Sequence, residues 1–314
     1  MLIRMMIPGA LVMLLTSMSQ AHALFPVWPQ GDAPGAATSS TQPQIVDRSK
    51  NPALPDRAAT GIRRPELTVY PAQHPNGIAL LVTPGGSYQR VVLDKEGSDL
   101  APVFNAQGYT LFVMTYRMPN EGHREGADAP LADAQRAIRT LRADAAKWHI
   151  DPHRIGVMGF SAGGHVAASL GTRFGQQVYA PVDDIDKFSA RPDFMVLMYP
   201  VISMQESIAH PQSRQAVVGE HPDSARVREY SAEAQVTANT PPTFLLHAMD
   251  DPSVSVDNTL VMFSALRAHQ VPVELHLFEH GKHGFGIRGT KGLPVAAWPQ
   301  LVDNWIQSLP TNTN

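Results

Sequence analysis

From about residue 65 onward, short apolar runs alternate with longer stretches whose apolar positions recur every three or four residues. The runs predict strands over Leu67–Tyr70, Ile78–Thr83, Thr110–Thr115, Arg154–Gly159, Phe194–Tyr199, Thr243–Ala248 and Val273–Phe278. Several are continuous rather than alternating (IALLV, LFVM, FLL), as expected of strands covered on both faces. In Asp133–Trp148 the residues Ala134, Ile138, Leu141, Ala145 and Trp148 form one buried helical stripe, and Asp151-Pro152 ends that helix. Ala162 to about Arg173 reads as another helix. Strand–helix alternation predicts an α/β fold, a mostly parallel, doubly wound sheet with helices on both faces. Sites in such sheets lie beyond the carboxyl ends of the strands.

Three segments depart from this rhythm. Residues 1–23 hold one Arg, a short apolar stretch and the small-residue frame Ala21-His22-Ala23, which reads as a secretory signal peptide cleaved after Ala23. Its apolar run is shorter than the ~20 residues that span a bilayer, so no lasting membrane insertion is expected. Residues 24–64, rich in Pro, Gly, Ser and Thr at their start, read as an extended arm held to the domain through Phe25 and Trp28. Residues 202–240 are polar and lie between two strong strands; they read either as a cap over the site or as a surface excursion. The remaining chain, 65–314, is the expected catalytic domain.

Composition narrows the function. The 314 residues are 43% apolar and 17% charged, enough for a large core. A formal net charge of -3 lacks the basic surplus of a nucleic-acid binder. With no cysteine in the chain, disulfides, thiolate catalysis and Cys-based metal sites are excluded.

The candidate chemistry starts at Gly159-Phe160-Ser161-Ala162-Gly163. This is G-x-S-x-G between a predicted strand and a predicted helix, the setting in which a serine is pushed out over a sheet edge on a sharp turn. A serine hydroxyl is a weak nucleophile until a base removes its proton, and the base needs an acid to fix its tautomer. In strand–turn–helix hydrolases these follow in the order Ser, Asp or Glu, His. Asp250 and Asp251 follow the strand TFLLHA; Asp251 is preferred, because its spacing from His247 and Val254 resembles the H-G-x-x-D-x-x-V-P arrangement of many hydrolases. Ala248 and Ser255 depart from that pattern. His280 and His283 follow the strand VELHLF, and His283, within a Gly-containing loop ending His-Gly-Phe, is preferred as the base. His165 reads as structural, and His247 as ordering the acid turn. For an oxyanion hole, the N–H of Ala162 is one donor. The second is expected from Pro84-Gly85-Gly86-Ser87-Tyr88, in the place of the H-G-G-G loop of lipases, with Gly85, Gly86 or Ser87 as donor. Ser87 and Tyr88 are candidates for the substrate pocket, Tyr88 covering the acyl group. Asp94, Lys95, Glu96 and Arg117 read as ordinary surface or structural ion-pair residues in preference to sugar contacts.

Taken together, PGGSY with DKEG, TYRMP, PLADAQRAIRTLR, DPHRIGVMGFSAGGHVAASL, YPVIS, PPTFLLHAMDDPSVSVDN and VELHLFEHGKHGFG resemble the esterase/lipase branch of the α/β-hydrolase superfamily. More narrowly they resemble its exported acetyl-xylan-esterase-like group, labelled BD-FAE. The resemblance spans roughly 65–310. It implies a Ser161–Asp251–His283 triad, no metal and no organic cofactor, and removal of acetyl groups from acetylated sugars or hemicellulose. The implied partner is therefore an oligosaccharide, polysaccharide or small-molecule ester. Acetyl esters are expected to react faster than long-chain ones, since no long apolar cap is visible. A prolyl-oligopeptidase-type peptidase would share the triad but needs an N-terminal propeller that an arm of about 40 residues cannot form. A non-catalytic binding module would usually lack a triad member.

Overall fold

The computed structural model describes residues 23–29, 31–37 and 43–310. The expected signal peptide falls almost wholly outside them. Among the described residues, no helix is long and apolar enough to cross a membrane.

Eleven strands are present: β1 Ala23–Pro26, β2 Gln44–Asp47, β3 Arg57–Thr60, β4 Glu66–Tyr70, β5 Ala79–Thr83, β6 Val91–Val92, β7 Thr110–Met114, β8 Ile155–Phe160, β9 Met195–Met198, β10 Thr243–Ala248 and β11 Val273–Phe278. The main helices are α1 Ala101–Ala106, α2 Ala129–Ala143, α3 Ala162–Arg173, α4 Pro211–Val218, α5 Ser224–Glu229, α6 Asp257–Ala268 and α7 Trp298–Ser308. Eight strands form one sheet in the order β1-β4-β7-β5-β8-β9-β10-β11. The pairs from β7 through β11 are parallel, while β1 and β4 run antiparallel at one edge. The chain therefore has the α/β-hydrolase type of sheet. β5, β7, β8, β9 and β10 are buried at every position, which explains their unbroken apolar runs.

The sheet divides the core in two. On one face Leu131, Ile138 and Leu141 of α2, Val166 and Leu170 of α3, and Met262 and Leu266 of α6 pack together. On the other, Phe104 of α1 meets Trp298, Val302 and Trp305 of α7. Segment 202–240 carries α4 and α5 and joins the first face through Val217, Val218, Tyr230, Ala232 and Val236.

Two expectations change. The helix expected over Asp133–Trp148 is α2, which begins earlier at Ala129, with Pro130 in its first turn, and ends at Ala143; the stripe continues through a 3-10 turn at Ala145–Trp148. The arm is more than extended chain. β1 adds an edge strand to β4, and β2 and β3 join β6 in a separate three-stranded sheet. Trp28 is 1% exposed, donates its indole N–H to Asp133 at 2.8 Å, and has the guanidinium groups of Arg117 and Arg136 within 6.0 Å of its ring centroid. Phe25 stacks on Trp148.

Candidate active site

Ser161 stands between the end of β8 and the start of α3, at φ 54° and ψ −122°. A non-glycine residue holds that conformation only when its surroundings impose it. They do so through close packing: a Cβ on Gly163 would lie 2.0 Å from the Thr83 carbonyl oxygen and 2.4 Å from that of Pro84. Glycine there lets α3 press against the end of β5. Ser87, Tyr88, Tyr199 and Lys282, all close to Ser161 or the His283 loop in the fold, also have positive φ.

The hydroxyl of Ser161 lies 2.8 Å from Nε2 of His283, and Nδ1 of His283 lies 2.7 Å from Oδ2 of Asp251. The assignment that satisfies both contacts puts the proton on Nδ1, donated to Asp251, and leaves Nε2 to accept from Ser161. Asp251 comes from the turn after β10 and His283 from the loop after β11, so parallel pairing brings both to one edge. Burial opposes the charge on Asp251. The hydrogen bonds of His247 and His283 and the backbone N–H of Val254 outweigh it and hold the carboxyl well below the usual carboxylate range.

The competing residues have other partners. Asp250 accepts the backbone N–H groups of Gly281 and Lys282 at 2.9 and 2.8 Å, and so ties down the loop that carries His283. His280 faces solvent and pairs with Asp250. His247 is fully buried between Thr259 and Asp251. His165 accepts the Tyr88 hydroxyl at Nδ1 (2.7 Å) and donates from Nε2 to the Tyr230 carbonyl (2.8 Å). Burial lowers its pKa to about 4, so it stays neutral.

The loop after β5 differs from expectation at two positions. The Gly85 N–H is donated to Glu96 Oε2 at 2.8 Å, so it is not available to an oxyanion. The N–H groups of Gly86, Ser87 and Ala162 have no such partner among the described residues. Gly86 has φ +140°, and a Cβ there would meet the Arg90 carbonyl oxygen at 2.1 Å, so only glycine fits. Tyr88 turns inward at 2% exposure with its hydroxyl on His165, so it packs beneath the site rather than covering an acyl group.

Glu96 is the residue whose place here sequence reasoning missed. Its Oε2 holds Gly85, and its Oε1 accepts the Tyr199 hydroxyl at 3.0 Å. Tyr199 in turn accepts the Gly286 N–H and packs edge-on against His283, with ring centroids 5.1 Å apart. Burial pushes the Tyr199 hydroxyl pKa well up, so it remains a donor. Asp94 and Arg117 are structural: Asp94 binds Arg57 and Ser98, while Arg117 is fully buried with Asp133 and Glu125.

The cleft over Ser161 has a volume of about 210 Å³ and is lined by Arg48, Gly86, Ser87, Arg90, Val92, Lys95, Glu96, Ser161, His283 and Gly284. Only Val92 brings an apolar side chain. No lining residue comes from 202–240, although His210 lies near enough to feel the charges of His283 and Asp251. Among the described residues, no group of three or more His, Asp and Glu is placed to hold a metal ion.

The BD-FAE family model matches residues 72–266. Over 249 residues the chain is 32% identical to an acetylxylan esterase of Xylanibacter ruminicola, covering 78% of this chain and 48% of that protein. It is 34% identical over 212 residues to endo-1,4-beta-xylanase B of Butyrivibrio fibrisolvens, covering 66% of this chain and 32% of the other. The chain thus spans about half the length of the first relative and a third of the second. Among solved structures, the acetyl ester-xyloside bifunctional hydrolase from Caldicellulosiruptor lactoaceticus superposes with a TM-score of 0.72 at 37% identity, covering 91% of this chain and 96% of the other.

Proposed function

The chain belongs to the BD-FAE family, and on that premise we propose that it is an exported serine carboxylesterase that removes O-acetyl groups from carbohydrates of the acetyl xylan type. The observation that carries this reading is the continuous Asp251–His283–Ser161 contact chain, 2.7 and 2.8 Å, opening into a small polar cleft. In the mechanism it supports, Ser161 Oγ attacks the acyl carbon as His283 Nε2 takes its proton. Asp251 holds the imidazole by Nδ1 and stabilises its charged form. The N–H groups of Gly86 and Ala162 face the developing oxyanion; one such donor is worth ~10²–10³ in rate. His283 then protonates the leaving sugar oxygen. Water, deprotonated by His283, attacks the acyl-serine; the bond to Ser161 Oγ breaks, His283 returns the proton to Oγ, and the carboxylic acid leaves.

The cleft favours a short acyl group, being smaller than the ~300–1,000 Å³ typical of drug-sized ligand sites. Its polar lining favours a sugar over a lipid leaving group. Export rests on the N-terminal leader and fits a polymeric substrate outside the cell.

The test is acetate release from acetylated xylan by the protein beside its Ser161→Ala variant. Release that disappears in the variant supports both nucleophile and substrate class. Silence on xylan with activity on an aryl acetate keeps the esterase and discards xylan; silence on both overturns the reading.

A further inference from the structure

We propose that Arg90 and Lys95, with Arg48 at the rim, form a carboxylate subsite beside Ser161, so that the preferred sugar ester carries a uronic acid near the acetyl group. The inference rests on the esterase reading for its placement, and on the charges of the cleft for its chemistry. Among the ten lining residues are three cations and one carboxylate. The carboxylate, Glu96, has both oxygens engaged, by the Gly85 N–H and the Tyr199 hydroxyl. Arg48 is paired with Asp56 at 2.7 Å. Arg90 and Lys95 have no carboxylate within ion-pair distance among the described residues, and the Arg90 Nε is buried with no hydrogen-bond acceptor. Cations that line a cleft without a carboxylate partner are matched by an incoming carboxylate, which arginine binds through two parallel N–H groups.

Both cations line the cleft over Ser161, one against each of the loops that flank it. Arg90 lies against the oxyanion loop, its carbonyl 2.1 Å from where a Gly86 Cβ would stand. Lys95 lies against the other loop, its carbonyl 2.3 Å from where a Gly286 Cβ would stand, beyond His283. His283 delivers its proton to the leaving oxygen, and Lys95 lines the same cleft as His283. A small acyl group held between Gly86 and Ser161 leaves these cations to the sugar chain.

Binding to Ser161→Ala protein, which needs no turnover, tests this by calorimetry. The ligands are a glucuronic-acid-bearing xylo-oligosaccharide and the same oligosaccharide after carboxyl reduction. We expect the acidic ligand to bind about tenfold more tightly, as a hydrogen bond to a charged group allows, and the advantage to shrink as salt rises. Arg90→Gln combined with Lys95→Gln is expected to remove most of it. Lys95→Gln alone keeps the test open if the double variant does not fold. Equal affinities, an advantage that survives both substitutions, or free acetate binding as well as the acidic ligand would overturn the proposal. Hydrolysis of a neutral aryl acetate by the unmutated protein decides separately whether the esterase reading stands.

Discussion

His247 sits behind Asp251, its Nε2 3.1 Å from the carboxylate oxygen that also receives His283. One tautomer satisfies all its contacts: Nδ1 accepts the Thr259 hydroxyl, and the Nε2 proton is shared by Asp251 and the Val254 carbonyl. The acid is thus oriented by a buried, polar-matched imidazole. Replacing His247 by Leu removes a hydrogen bond to a charged group, worth ~1.5–3 kcal/mol. The expected result is a fall in kcat of about ten- to a hundredfold with KM nearly unchanged. A lower melting temperature with unchanged kcat would make the residue merely structural.

Gly86→Ala brings a Cβ to 2.1 Å from the Arg90 carbonyl at a φ of +140°, so the loop must move. If the Gly86 N–H serves the oxyanion, kcat drops about 10²-fold or more. The same substitution at solvent-facing Gly175, where a Cβ meets nothing within 4 Å, is the control. Steady-state kinetics on an aryl acetate would separate the two; similar rates would remove Gly86 from the site.

The pKa of His165 falls from 6.5 to about 4, because burial outweighs the Tyr230 hydrogen bond, with Arg173 adding to the fall. In the unfolded chain the same imidazole takes up a proton below about 6.5. Stability therefore falls as pH drops from 6.5 towards 4, and this group's penalty is constant below that. By pH 5 the loss is on the order of 2 kcal/mol. Urea unfolding of His165→Gln at pH 7 and pH 5 should show a drop smaller by about that amount. An unchanged drop would mean the imidazole is charged in the folded state.

Trp28 ties the arm to the domain by its indole bond to Asp133 and by packing edge-on against Tyr179, with ring centroids 4.9 Å apart. Trp28→Phe keeps most of the packing and should cost ~1–2 kcal/mol in urea unfolding. Trp28→Ala leaves a cavity and should cost ~3–5 kcal/mol. Losses under half a kcal/mol in both would mean the arm adds nothing to stability.

Where the sequence could be read depended on what defines each element. β10, β11 and α3 match their expected spans because apolar runs and helical spacing mark them. The arm strands could not be seen this way. β1 to β3 are four residues each, and β6 is two, too short for an apolar run or an alternation to mark them in the sequence. At the site, Ser161, Asp251 and His283 stood out because strand ends and turn glycines announce them. Glu96 did not: a lone carboxylate in DKEG resembles any surface charge until the fold brings Tyr199 and Gly85 to its two oxygens. Arg48 and Arg90 were invisible for the same reason.

That carboxylate gives the floor of the cleft an unusual stiffness. The loop that carries Gly86 hangs from one oxygen of Glu96, and the loop that carries His283 hangs from the other by way of Tyr199 and Gly286. The two loops beside Ser161 therefore share a single anchor. Displacing one side costs the hydrogen bonds that tie it to the other, each worth ~1–3 kcal/mol. Arg48, Arg90 and Lys95 line the cleft above this anchor without bonding to it, so the network beneath is independent of the rim charges.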